Sequence, residues 1–286
     1  MQRIVAATDF SSRSDRAIKR AGLLARQFGS ELILTHIVDE DQPESLVDIE
    51  TREALRLLKE QIGALPELGG LDCRVEVITG DPFSGILHVA ETVSADLIVM
   101  GSHRKQLLRD VFVGTTLERV MRTGRRPVLL VNRTEQRPYR SVIAAVDISE
   151  ASARAVKVAK SLGFLNNVTV TFLHAFFAPA KTQLFVGDAP QDQIESYVES
   201  ERRKAAEELV AFLERYKLDD KGSDYRIEEG DAVDVITRAV DELRSDLLVV
   251  GTHGRTGISK LLLGSVAEAV ACKIDVDILV VPAASN

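Results

Sequence analysis

The residues with the most chemical content lie between Gly251 and Val266 (GTHGRTGISKLLLGSV). Their spacing is Gly251, two residues, Gly254, nine residues, then Gly264-Ser265. Glycine permits positive φ and close approach of backbone to a ligand, and successive backbone N–H groups form an anion-binding nest. Gly264-Ser265 immediately precedes Val266, Val270 and Ala271 at helical spacing, which makes Ser265 an N-cap or first-turn residue. A helix start adds exposed N–H donors and the positive end of the helix dipole. Ser265 Oγ adds one more donor. Such a loop can hold a chain of phosphates with no lysine beneath it. The competing explanation is that Gly254, Gly257 and Gly264 only build a turn and cap a helix. His253, inside the loop, either positions backbone, contacts phosphate or faces solvent. No GxxxxGK[ST] occurs in the chain and no GxGxxG follows the first apolar run, so the P-loop and dinucleotide fingerprints are excluded.

The elements that must position this loop recur. Ile4–Leu24 aligns with Val142–Leu162 at an offset of 138, with Ala6, Ala7, Asp9, Ser11, Ser14, Arg16, Ala17, Lys19, Ala21 and Leu24 identical in both copies. His36 and His174 keep that offset. Further on the offset is 150. Gly80-Asp81 matches Gly230-Asp231, and Gly101, His103, Gly114 and Glu118 match Gly251, His253, Gly264 and Glu268. The difference is a 12-residue insertion in the second copy between His174 and Gly230. A period this long is a duplicated domain rather than a solenoid. The expected units are 1–134 and 138–286, joined around the polar segment Thr134–Pro138.

Within each copy, short continuous apolar runs alternate with segments of helical period. Ile4–Ala7, Glu31–Val38, Arg74–Ile78, Asp96–Met100 and Val128–Val131 read as buried strands, because runs apolar on both faces belong to parallel sheets. Ala17, Ile18, Ala21, Leu24, Ala25 and Phe28 form a helical stripe closed by Gly29. The order βαβαβαβαβ gives a doubly wound α/β domain, a five-stranded parallel sheet with helices on both faces. Its crevice lies at the carboxyl ends of the strands. The last strands, Val128–Val131 and Ile278–Val281, are candidates for edge-to-edge pairing between the copies. Asp277, where the first copy has Pro127, is expected to tune whether that surface recruits a second chain.

On these residues the chain resembles the universal stress proteins, in the tandem form with two domains per chain. The second copy holds the glycine–two–glycine–nine–glycine–Ser/Thr motif without departure. The first holds the aspartate after strand one (Asp9) and the Gly80-Asp81-Pro82 segment. The resemblance implies a flavodoxin-like, Rossmann-like sheet (adenine nucleotide alpha hydrolase-like), ATP binding with Mg²⁺, dimerisation through the last strand and a role in stress survival. Carried over by position, Ala145, Val146 and Asp147 flank adenosine and Ala175 lies against adenine. Val250, Gly251, Thr252, His253, Gly254, Gly264, Ser265 and Val266 hold ribose and phosphates. Asp9, Gly101, Gly114 and Thr115 are the weaker counterparts in the first copy. There Arg104 replaces Gly254. A side chain at a position needing φ > 0 costs ~1–2 kcal/mol, and its Cβ crowds the phosphates, although a guanidinium also attracts them. One ATP site per chain is expected, in the second copy.

Composition narrows the function classes. Thirty-six Lys and Arg against 43 Asp and Glu give a net charge of −7, so no global basic field favours nucleic acid or anionic membrane. The absence of tryptophan argues against base-stacking single-strand binders. Cys73 and Cys272 form no CxxC, which removes a disulfide scaffold or structural zinc site and makes a reducing cytoplasm the expected compartment. His36 and His174, ending the second strands, are expected as hydrogen-bonded structural histidines. Asp147 is either a ribose- or magnesium-side ligand or an Asx turn. The loop offers no general base beyond His253 or Asp147 and no Walker-type lysine. A regulatory ATP-binding protein is therefore expected, with a slow ATP hydrolase or a nucleotide-free small-molecule-binding scaffold as alternatives. The inserted segment Phe176–Asp192 is expected to be a lid over the second cleft or an interaction element, or else a loop packed on its own domain.

Overall fold

The computed structural model describes residues 1–102, 115–133, 137–219, 222–252 and 263–283. The first half runs β1 (Arg3–Ala7), α1 (Ser12–Phe28), β2 (Glu31–Val38), α2 (Glu44–Ala64), β3 (Cys73–Thr79), α3 (Pro82–Thr92), β4 (Leu97–Gly101), α4 (Thr116–Thr123) and β5 (Val128–Val131). The second runs β6 (Ser141–Ala145), α5 (Glu150–Ser161), β7 (Thr169–Phe176), α6 (Lys181–Val186), α7 (Gln191–Tyr216), β8 (Asp224–Glu229), α8 (Ala232–Glu242), β9 (Leu247–Gly251), α9 (Ser265–Lys273) and β10 (Asp277–Val281).

Local chemistry sets these boundaries. Ser11 caps α1 by accepting from Ser14 N, and Gly29 closes it in the left-handed conformation (φ 64°) with its N–H on Ala25 O. The Gly-Asp pairs of the repeat are strand-to-helix turns. Gly80 and Gly230 have φ of 141° and 142°, a region that side chains avoid. Asp81 and Asp231 then cap α3 and α8.

The strand order is β3-β2-β1-β4-β5-β10-β9-β6-β7-β8, a single ten-stranded sheet. All described pairings within each half are parallel, so each half is the doubly wound unit the periodicity predicts. The halves meet where β5 and β10 pair antiparallel, with Ile278 opposite Leu130, Leu279 opposite Leu129 and Val280 opposite Val128. Leu129 thus faces its own counterpart 150 residues on, and a local twofold axis runs between them. The core follows the sheet across this seam. One apolar layer takes Val89 of α3 and Val120 of α4 together with Ile236 of α8 and Val270 of α9. The opposite layer takes Ile18 and Ala21 of α1 together with Ala155 and Ala159 of α5. A second chain has no open last strand to join, because each is covered by the other; β3 and β8 form the sheet edges.

Asp277, expected to tune recruitment of a second chain, lies inside the seam between the two halves of this one. It is fully buried and its side chain ties the halves together. Its Oδ1 accepts from the backbone N–H of Asn132 (2.9 Å) and Arg133 (3.0 Å). Its Oδ2 accepts from Tyr139 Oη (2.6 Å) and ion-pairs with Arg20 Nε at 3.0 Å. Arg20 lies 4.5 Å from the Tyr139 ring centroid and donates to Arg137 O at 2.8 Å. Burial, and next the adjacent Asp277 charge, push the Tyr139 phenol well above its ordinary range. The counterparts of Arg20 and Asp277 are Val158 and Pro127, so this cluster breaks the local symmetry.

The inserted segment is helical rather than a simple loop. It forms α6 and begins α7, anchored by Ala180 N donating to Tyr197 Oη (3.1 Å) and by Lys181 Nζ on Glu229 Oε2 (2.7 Å). Phe177, Phe185 and Val186 remain exposed on it.

Candidate functional site

The strand order reverses between the paired strands β1 and β4 in the first half, and β6 and β9 in the second, and a cavity lies at each of these switch points. In the second half its volume is about 310 Å³. Its floor and walls come from the carboxyl ends of β6, β7 and β9 and from the first turn of α9. Ala145, Val146, Asp147, Ala175, Val250, Gly251, Gly264, Ser265 and Val266 all line it. Thr252 does not: it is buried, its N–H donates to Val281 O and its hydroxyl accepts from Ala283 N. It is therefore a structural bracket between β9 and the chain after β10. His253 and Gly254 lie outside the described residues, as do Gly257, Arg104 and Gly114.

The helix start behind the cavity differs between halves. In α9 the N-cap is Gly264 (φ −61°), without any side-chain cap, and Ser265 is the first helical residue. The glycine here is not meeting a positive φ; it leaves the first-turn amides of α9 without a capping side chain, at the cavity wall. In α4 the corresponding Thr115 is itself the N-cap, and its hydroxyl accepts from Glu118 N at 3.1 Å. One helix end carries a side-chain cap; the other has none.

The turn after the first strand carries a feature that spacing did not expose. Phe10 and Ile148, counterparts in the two halves, both have positive φ (57° and 62°), which costs side chains roughly 1–3 kcal/mol. The strain is held from two sides. His36 Nδ1 and His174 Nδ1 each lie 2.8 Å from the carbonyl oxygens of Thr8 and Val146. A carbonyl only accepts, so Nδ1 carries the proton in both rings. Asp147 Oδ1 accepts from Ser149 N (3.2 Å) and Ser149 Oγ (2.5 Å), and Asp9 Oδ1 from Ser11 N (3.0 Å). Each aspartate thus makes an Asx turn while still lining the cavity. Burial raises the Asp9 carboxyl, but hydrogen bonds from Ser11 and Ser14 and the Arg13 charge together hold it below the ordinary value.

The first half's cavity measures 370 Å³ and is lined by Asp9, Gly101 and Thr115 among others. Gly101 serves the scaffold as well as the cavity. A Cβ there would lie 2.6 Å from the backbone C and O of Arg13, so α1 can pack against the end of β4 only over a bare glycine. Among the described residues, no group of three or more His, Cys, Asp or Glu could hold a metal ion, and no helix is long and apolar enough to cross a membrane.

The architecture defines a class: two doubly wound α/β units fused through their last strands, each with a cleft at its switch point. The model of the universal stress protein family matches residues 1–132 and 138–282, and the chain belongs to that family. It is 25% identical over 300 residues to a universal stress protein of Mycolicibacterium smegmatis, covering 97% of this chain and 96% of that one. A universal stress protein of Methanocaldococcus jannaschii is 31% identical over 144 residues, covering 47% of this chain and 84% of its own length. Among solved structures, a universal stress protein from Archaeoglobus fulgidus superposes with a TM-score of 0.73 at 18% identity, covering 98% of both chains. That likeness is one of fold.

Proposed function

We propose that the second-half cleft binds an adenine nucleotide, ATP with Mg²⁺, as a regulatory ligand of a cytoplasmic stress-response protein. The observation that carries this is the α9 start: a helix N-terminus with no side-chain cap, at the wall of an apolar cavity and at the end of a glycine-spaced loop. Helix-end amides without a side-chain cap favour anionic oxygens. The small side chains of Ala145 and Ala175, both in the cavity lining, leave room for a flat base against the ends of β6 and β7. Asp147, which lines the cavity, would meet the ribose or the magnesium side. The Asp147 carboxylate accepts two hydrogen bonds from Ser149, which suits a binder better than a general base, so nucleotide occupancy rather than turnover is the expected output.

The test is calorimetric titration of the full chain with ATP and magnesium. One nucleotide per chain is expected, with binding abolished in Gly254→Arg. Two equivalent nucleotides per chain, or full affinity in that variant, would overturn the reading. A ligand at 100 times its Kd stabilises the fold by about 2.7 kcal/mol, so a raised melting temperature provides an independent readout.

A further inference from the structure

The first-half cleft is as roomy as the second but differently furnished. Where the second half has Ala175 and Val250, the first has Ile37 and Met100, with Ile86 and Leu117 completing an aliphatic wall. Where the second half has Ala151, the first has Arg13, which lines the cleft. The guanidinium sits 3.4 Å from the Asp9 carboxylate, a long contact for a charge-assisted bond, which is normally about 2.7–2.9 Å. A guanidinium carries five N–H donors in a fork matched to a carboxylate, and this one reaches a single acceptor among the described residues. The amide end of α4 is meanwhile capped by Thr115, so the donors that suit a polyphosphate in the other half are reduced here.

We propose that the first-half cleft is a second ligand site, one that takes a small aliphatic molecule with a single negative charge. The apolar body lies against Ile37, Ile86, Met100 and Leu117, with Met100 adapting to its shape. The head group pairs with Arg13. Asp9, ionised and 62% exposed at the same end, orients the guanidinium and already offsets its charge. Only the remaining guanidinium N–H donors are left for an anionic head, so the cleft suits a single charge and disfavours a polyanion. Ile37 also narrows the place where Ala175 leaves space for a base.

Octanoate is the probe. Titrated into the full chain with ATP saturating, it is expected to bind once per chain, and octyl phosphate, which carries close to two negative charges, more weakly. Arg13→Gln should weaken octanoate by about tenfold or more, the scale of one hydrogen bond to a charged group. Retention of ATP binding by that variant reports that it is folded. Should ATP itself not bind, stoichiometry and the Arg13→Gln loss still read the octanoate site. Displacement of octanoate by ATP, tighter binding of octyl phosphate than of octanoate, unchanged affinity in Arg13→Gln, or no binding at about 1 mM would each overturn the proposal.

Discussion

Replacing Asp277 with alanine removes, in one step, the acceptor for two backbone amides and a tyrosine hydroxyl and the counter-ion of Arg20. Arg20 is 4% exposed and Asp277 is inaccessible, so water cannot take over these roles. Breaking a buried pair by deleting one partner costs about 3–5 kcal/mol, because the remaining charge stays desolvated. At about 2–4 °C per kcal/mol for a chain of this size class, the melting temperature should fall by roughly 10 °C. Both apolar layers run through the β5–β10 seam, so the loss should appear as a shift of one cooperative transition. The second arm is Arg20→Met with Asp277→Ala. With both charges gone, the double variant should be more stable than the sum of the single losses implies. Val158, the counterpart of Arg20, is already apolar. Urea unfolding of the four proteins gives the coupling energy directly. A loss for Asp277→Ala below about 1 kcal/mol, the scale of an exposed pair, or simple additivity in the cycle, would refute this account of the seam.

Two further changes probe the same frame. The Tyr139 phenol is held protonated while its unfolded counterpart ionises near pH 10. The folded state therefore binds more protons above that pH, and its stability falls as pH rises. Tyr139→Phe should show a shallower alkaline fall in urea midpoint between about pH 9 and 11; an identical slope would contradict the assignment. Gly101→Ala should cost about 1–3 kcal/mol, as overpacking against backbone does, whereas Gly63→Ala, with nothing within 4 Å of the added carbon, should be neutral or stabilising. Equal effects on the urea midpoint at the two sites would show that α1 does not need the bare approach to β4.

Much of this fold is written in local pattern. Glu31–Val38 and Val128–Val131 read as strands with the boundaries they adopt, because a run buried on both faces has no other stable fate in a doubly wound sheet. Of the spaced glycines, Gly251 and Gly264 line the second-half cavity. What was not legible depends on contacts distant along the chain. Asp277 looks like a charge beside a strand; only pairing of β5 with β10 brings Arg20 and Tyr139 around it. The strain at Phe10 and Ile148 is hidden because neither residue type favours positive φ, and a histidine 26 residues away holds each turn. Gly101 has the pattern of a ligand contact and lines the cleft, but spacing gives no sign that the approach of α1 also demands it. Thr252 has the same pattern, since a hydroxyl beside a glycine loop gives no sign that it accepts from Ala283 N.

The two clefts share a frame and differ in its furnishing, and the seam explains how this can persist. An isologous pair of identical chains must carry the same residues on both sides of its axis, so any change that adapts one cleft to a new ligand alters the other equally. Here Leu129 and Leu279 still meet as symmetry mates, but they belong to one chain. Asp277 facing Arg20, where the opposite side has Pro127 and Val158, fixes which half packs against which. With that pairing secured inside the chain, the cap of α4 can be filled while that of α9 stays open. An arginine can likewise enter one cleft while alanine stays in the other.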